Sequence, residues 1–111
     1  MKMNQHLDLN DKNKVTVMLV QALLGAISPN FRLVAIELTE PSWQLLFVLE
    51  KEDNHDREEI EDVVGEFDGL LLGLSNVGTH NFLVNILVSD KELPVLNPSS
   101  WRVAFRRREI S

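Results

Sequence analysis

The chain has 111 residues, no cysteine and a formal net charge of −6. One domain fits this length, since a chain of this size buries about two-thirds of its unfolded surface on folding. The absence of cysteine excludes disulfides, thiolate metal sites and cysteine nucleophiles. No apolar run reaches the roughly 18–20 residues of a membrane helix, and no apolar signal region follows Lys2. We therefore expect a cytoplasmic protein.

The first predicted helix spans residues 14–27, and residues 1–10 are expected to be flexible. Apolar side chains recur there at helical spacing and share one face. They are Val15, Met18, Leu19, Ala22, Leu23, Ala26 and Ile27. Asn10 or Asn13 is expected to cap its start. Pro29 disfavours helical geometry at Ser28 and should end it.

Two strands are predicted next, at residues 31–38 and 43–50. The short turn at residues 40–42 between them predicts an antiparallel hairpin. In the second strand Trp43, Leu45, Phe47 and Leu49 alternate with a set that is also fairly apolar, since it includes Leu46 and Val48. This pattern predicts that the pair is covered on both faces.

The second predicted helix spans residues 56–72. Asp56 followed by Glu59 resembles a capping box, and Gly73 suits the left-handed position after a helix. The apolar stripe consists of Ile60, Val63, Val64, Phe67, Leu70, Leu71 and Leu74.

Two more strands are predicted, at residues 80–88 and 100–109. Residues 89–99 contain Pro94 and Pro98 and are interpreted as a long hairpin loop between them. The predicted fold class is therefore α+β, with the order α-β-β-α-β-β and both helices on one face of a four-stranded antiparallel sheet.

A weak internal repeat predicts pseudo-twofold symmetry between residues 14–50 and residues 56–109. Asn30-Phe31 matches Asn81-Phe82, and Ser42-Trp43 matches Ser100-Trp101. Phe47 and Phe105 each follow the tryptophan by four residues, so each Trp–Phe pair should share a face. We expect both pairs to point towards the helices.

The sequence offers no catalytic constellation. His6, His55 and His80 lack the spacing of metal ligands. His55 with Asp53 and Asp56 could hold a cation loosely, but a solvated turn that caps a helix is the favoured interpretation. Residues 73–78 are bounded by glycines but lack the Gly-Lys-Ser/Thr ending of a phosphate loop. We predict no enzyme activity, no cofactor and no metal.

Acidic residues concentrate in one segment. Residues 50–68 carry ten acidic and two basic side chains, a balance of −8, whereas the rest of the chain has a balance of +2. Such a patch attracts basic surfaces and repels nucleic acid. A charge run can serve solvation alone, yet like charges along a helix destabilise it. We therefore nominate a partner-binding surface made of Glu58, Glu59, Glu61, Asp62 and Glu66.

The last predicted strand is basic. Period-2 spacing predicts that Arg102, Arg106 and Arg108 share a face. A phosphate-binding stripe would be expected to carry exposed aromatic side chains as well, and the strand lacks them. Protection of a sheet edge, or pairing with acidic residues of the same chain, is the favoured interpretation.

The small size, the absent cysteines, the acidic segment and the lack of an active site are together similar to bacterial toxin-immunity proteins, with the contact-dependent growth inhibition class the nearest. The resemblance implies binding of a cognate toxin domain, commonly a nuclease, in the cytosol, by covering its active or substrate-binding surface. A second binding interpretation is a small acidic secretion-type chaperone that acts as a homodimer. The sequence leaves the oligomeric state open.

Overall fold

The computed structural model describes residues 8–39, 42–74 and 81–109. Its elements are helix α1 (Leu9–Leu23), strands β1 (Phe31–Glu37) and β2 (Trp43–Leu49), helix α2 (Asn54–Leu71), and strands β3 (Phe82–Val88) and β4 (Trp101–Arg106). The predicted order α-β-β-α-β-β is confirmed. Residues 1–7 of the segment 1–10 that was predicted to be flexible lie outside the described residues, as does the predicted strand start at His80, whereas Leu9 and Asn10 belong to α1.

The sheet is mixed, with the strand order β3-β2-β1-β4. Strand β1 pairs antiparallel with β2 and with β4, whereas β2 and β3 are parallel. The prediction of an all-antiparallel sheet is therefore wrong. Helix α2 returns the chain to the end where β2 began, so β3 runs beside β2 in the same direction. Strands β3 and β4 lie at opposite edges and form no hairpin.

Both helices begin earlier than predicted because aspartates cap them. The Asp8 side chain accepts a hydrogen bond from the Asp11 amide at 2.7 Å, so neither Asn10 nor Asn13 caps α1. The Asp53 side chain accepts from the Asp56 amide at 2.8 Å, so Asp56 lies inside α2. The predicted starts were based on the apolar stripes. Each stripe begins only after a polar first turn, so the predicted starts came too late.

The main core lies between the helices and one face of the sheet. Helix α1 contributes Val15 and Leu19, and helix α2 contributes Phe67; all three are fully buried. Trp43 and Phe47 of β2 enter the same cluster, which confirms the predicted orientation of this pair.

Phe105 also packs against this core, but Trp101 points away from it. Phe105 pairs with Val34, which faces the helices, whereas Trp101 pairs with Glu37. A register shift in the β1–β4 pairing adds one residue to β4 between these positions. The prediction for Trp101 is therefore wrong. Because the first half forms a hairpin and the second half does not, the fold does not show the predicted internal repeat.

The second face of the central strands is covered as well. Leu33, Ala35 and Val48 are fully buried although they lie outside the helix-side cluster. Residues 89–100 connect β3 at one edge with β4 at the other, and they cross this face. The predicted hairpin loop is therefore a crossover, which we call the crossover segment, and the expected cover on both faces is confirmed.

Arg32 holds the crossover segment against β1. Its side chain is almost fully buried, and its Nη1 donates hydrogen bonds of 2.7 Å to the carbonyl oxygens of Ser89 and Lys91. Its Nη2 lies 2.6 Å from a carboxylate oxygen of Glu109, beyond β4. A buried charge requires such partners. Arg32 thereby joins β1, the crossover segment and the end of the chain.

The Phe67→Ala variant should lose about 3–5 kcal/mol of unfolding free energy. Phe67 is fully buried, and its ring centroid lies 5.7 Å from that of Phe82. Denaturant unfolding measures the loss. The matched control is Gly69→Ala on the same helix, where a Cβ would meet nothing within 4 Å; it should gain up to about 1 kcal/mol. An unchanged midpoint for Phe67→Ala would contradict the core described here.

The Glu109→Gln variant should reduce the acid sensitivity of the fold. Hydrogen bonding to Arg32, and then to Arg107, holds the pKa of the Glu109 carboxyl below its usual value. Its stabilising contribution is therefore present above the unfolded pKa of about 4.3 and is lost as pH falls through the folded pKa.

Urea unfolding from neutral pH down through that window tests this expectation. Glu109→Gln should be less stable than the parent at neutral pH and should lose less stability on acidification. The control is Glu92→Gln, an exposed carboxylate that forms no ion pair with another described residue. Identical pH profiles for Glu109→Gln and the parent would show that the Arg32–Glu109 pair contributes nothing to stability.

Candidate functional site

The structure divides the ten acidic residues of the segment 50–68 into two groups, and the first group has structural partners. A carboxylate oxygen of Glu50 lies 2.9 Å from Nη1 of Arg107, so this pair ties the end of β2 to the chain after β4. Glu52 pairs with Arg57 in the first turn of α2. Hydrogen bonding to Arg57 lowers the pKa of the exposed Glu52 carboxyl.

Asp53 and Asp56 complete the structural group. Asp53 caps α2, and Asp56 is almost fully buried behind it. Nδ2 of Asn30 donates to a carboxylate oxygen of Asp56 at 2.9 Å, and also to the carbonyl oxygen of Lys51 at 2.8 Å. The amide of Lys51 donates back to the Asn30 side-chain oxygen at 2.8 Å. These bonds fix the start of α2 to the start of β1.

The second group contains six acidic residues, which we call the acidic face of α2. They are Glu58, Glu59, Glu61, Asp62, Glu66 and Asp68. Five are exposed and Glu59 is half-buried. In the ranges 8–39, 42–74 and 81–109, none of the six side chains forms a hydrogen bond or an ion pair. The face therefore includes all five nominated residues, and Asp68, which the sequence analysis did not nominate, shares their charge and exposure.

The packing of α2 directs these side chains outwards. Ile60, Val63 and Phe67 are buried in the core, so the opposite side of the helix must face solvent. Glu58, Asp62 and Glu66 follow one another at intervals of four residues and therefore lie along one line. With a rise of about 1.5 Å per residue, this line is roughly 12 Å long. The like charges repel each other along the helix.

Two of the four arginines between residues 102 and 108 have side-chain partners within the described residues. Nη1 of Arg102 donates to the Asn13 side-chain oxygen at 2.8 Å. Arg107 pairs with Glu50 and Glu109, and it donates to the carbonyl oxygen of Pro29 at 2.7 Å. The predicted pairing with acidic residues is thus confirmed for Arg107.

The predicted common face of Arg102, Arg106 and Arg108 is wrong. Arg102 pairs with Ile36, whose side chain joins the helix-side core, whereas Arg106 pairs with Leu33 on the other face. Arg108 lies beyond the end of β4. The register shift that turns Trp101 away from the helices also separates these arginines, so they form no continuous phosphate-binding stripe.

The histidine considered as a weak cation ligand lies close to two carboxylates. One possible ligand atom each from Asp53, His55 and Asp56 lies within 4.8 Å of the others. Both carboxylates already accept hydrogen bonds that hold the start of α2. The favoured interpretation, a turn that caps the helix, is therefore confirmed.

An open depression of about 580 Å³ lies on the sheet face that the crossover segment covers. It is lined by Arg32, Arg106, Glu109 and residues 92–96. Arg32 and Glu109 satisfy each other there. The lining has two carboxylates, Glu92 and Glu109, but no hydroxyl, imidazole or thiol group. None of the described helices is both long and apolar enough to cross a membrane.

The sequence matches a family model described as MafI2 immunity protein over residues 12–109. The matched range extends from the first turn of α1 to the residues that follow β4, and it contains the whole of α2. No curated protein matches this sequence.

Proposed function

Since this chain belongs to the MafI2 immunity protein family, we propose that it neutralises its cognate toxin by placing the acidic face of α2 over a basic surface of that toxin. Membership implies a cognate MafB toxin as the partner, and proteins of this family are not enzymes. The toxin-binding surface is therefore the functional site to identify.

One observation carries the proposal: six acidic residues without a side-chain partner among the described residues lie together on a single helix. Four acidic residues of the segment 50–68 have structural partners, whereas the six of the acidic face have none among the described residues. Repulsion along the helix costs stability, and no contact within the described chain compensates for it. A basic partner would convert this repulsion into attraction.

The proposed toxin is a nuclease. Enzymes that cut nucleic acid bind its phosphates through lysine and arginine side chains. A row of carboxylates can occupy the same cationic groove and exclude the substrate. The proposed place of action is the cytosol, and contact-dependent delivery of the toxin, which rests on resemblance alone, is part of this proposal.

The proposed role of the acidic face is electrostatic steering. Complementary charge accelerates association more than it strengthens the final complex. Exposed ion pairs contribute only about 0–1 kcal/mol each, so no single carboxylate should dominate. Salt screens such charges over about 8 Å at physiological ionic strength, so association should slow as salt rises.

Replacing Glu58, Glu59, Asp62 and Glu66 together with lysine should slow association with the toxin and flatten its salt dependence. The four positions are accessible and have no partner among the described residues, so the fold should persist, as circular dichroism would confirm. Association and dissociation rates measured over a range of salt concentrations separate steering from close contact.

A matched pair of variants separates local charge from net charge. Glu58→Lys/Asp62→Lys changes the acidic face, whereas Asp90→Lys/Glu92→Lys makes the same charge change on the exposed crossover segment, on the other side of the sheet. Both variants reduce the net negative charge by the same amount, so the variant of the acidic face should slow association more than the variant of the crossover segment. Equal effects, or full affinity and an unchanged salt slope for the fourfold variant, would refute capture by the acidic face and direct attention to the crossover segment.

A further inference from the structure

Strand β3 is a sheet edge with none of the usual protection. All seven of its residues pair with β2 without a register shift, and no described strand pairs with its outer side. Natural proteins protect such edges with charged side chains, prolines or bulges. Strand β3 has no charged residue and no proline. By contrast, the opposite edge, β4, has a register shift and carries Arg102 and Arg106.

The side chains of β3 are also unusually exposed for their type. Leu83 is 59% exposed, Leu87 42% and Val84 38%. Leu83 and Leu87 point to the face opposite the helices, on either side of Asn85. Asn85 is exposed, and its Nδ2 donates to the side-chain oxygen of Gln44 at 3.2 Å.

The sequence of β3 is self-complementary. Residues 83–87 read Leu-Val-Asn-Ile-Leu, in which the central asparagine is flanked on each side by a β-branched residue and then by a leucine. If two copies pair antiparallel about Asn85, each leucine lies opposite a leucine, Val84 lies opposite Ile86, and Asn85 lies opposite itself. Apolar cross-strand pairs stabilise a sheet, and a single polar pair at the centre favours this register over its neighbours.

From these features we propose that β3 forms a homodimer interface, in which the outer edges of two β3 strands pair antiparallel about Asn85 and join two sheets into one. A second copy fits this edge better than a basic partner, because the strand is uncharged and symmetric. Two copies of a chain with net charge −6 repel each other. An uncharged contact suits their association, because it places no acidic side chain opposite another. The inference does not depend on the acidic face, which lies on the outward side of α2.

The first test is sedimentation equilibrium of the full chain over a wide concentration range. The mass should rise with concentration towards twice the 12.7 kDa of one chain. Leu83→Lys should weaken dimerisation by at least about tenfold, because it places a lysine opposite Leu87 of the other copy at two symmetric positions. Circular dichroism would confirm that this exposed substitution leaves the fold intact.

A charge-pair variant tests the register. In Leu83→Lys/Leu87→Glu, each lysine lies opposite the new glutamate of the other copy, so dimerisation should recover towards the parent value. The matched control, Leu83→Lys/Leu87→Lys, places like charges opposite each other and should remain monomeric. Recovery in the first variant alone requires the antiparallel register centred on Asn85.

The absence of cysteine allows a third test. In Asn85→Cys, the two thiols should meet at the dimer axis and form a cross-linked dimer on oxidation. Val103→Cys on the opposite edge is the control, since Val103, like Asn85, is exposed. A monomer at all concentrations, or a dimer unaffected by Leu83→Lys, would overturn the proposal. If the chain is monomeric and Leu83→Lys weakens toxin binding, the β3 edge belongs to the toxin-binding surface instead.

Discussion

Most residues of the two central strands are buried, on both faces of the sheet, and this requirement determines where the other elements lie. Helices α1 and α2 cover one face with an apolar cluster around Trp43 and Phe67. The crossover segment covers the other face, where Leu33, Ala35 and Val48 are fully buried. Since it must cross β2 and β1 to do so, β4 is added beside β1, far from β3. Arg32 stabilises this arrangement, because its buried guanidinium bonds to the crossover segment and to Glu109.

The same architecture leaves the outward side of α2 free. This helix connects two parallel strands, and Ile60, Val63 and Phe67 occupy its packing side. Its remaining positions can therefore carry charge without disturbing the core. Acidic residues at the start of the helix hold the fold together through Asn30, Arg57 and the cap, whereas those of the acidic face have no partner among the described residues. The family match favours immunity over the chaperone alternative.

Local patterns predicted the elements well and the pairing of the last two strands poorly. Apolar residues at both sets of alternating positions in residues 43–50 correctly indicated a strand covered on both sides, and the stripe of α2 correctly identified Phe67 as core. Strand partners depend on contacts between distant segments, which periodicity does not contain. The register shift in β4 likewise could not be predicted from the sequence. It places Trp101 on the face away from the helices and puts Arg102 and Arg106 on opposite faces of the sheet. Charge and helical spacing were enough to locate five of the six residues of the acidic face. They could not show that Glu50, Glu52, Asp53 and Asp56 have structural partners, because those partners come from the fold.

Membership of an immunity family makes the toxin-binding surface the central question, and amide hydrogen exchange of the chain with and without its cognate toxin measures that surface directly. Capture by the acidic face predicts that the toxin slows exchange along α2, most strongly over residues 58–68, while the crossover segment and β4 exchange as in the free chain. Protection confined to the crossover segment or to β4, with α2 unchanged, would contradict it.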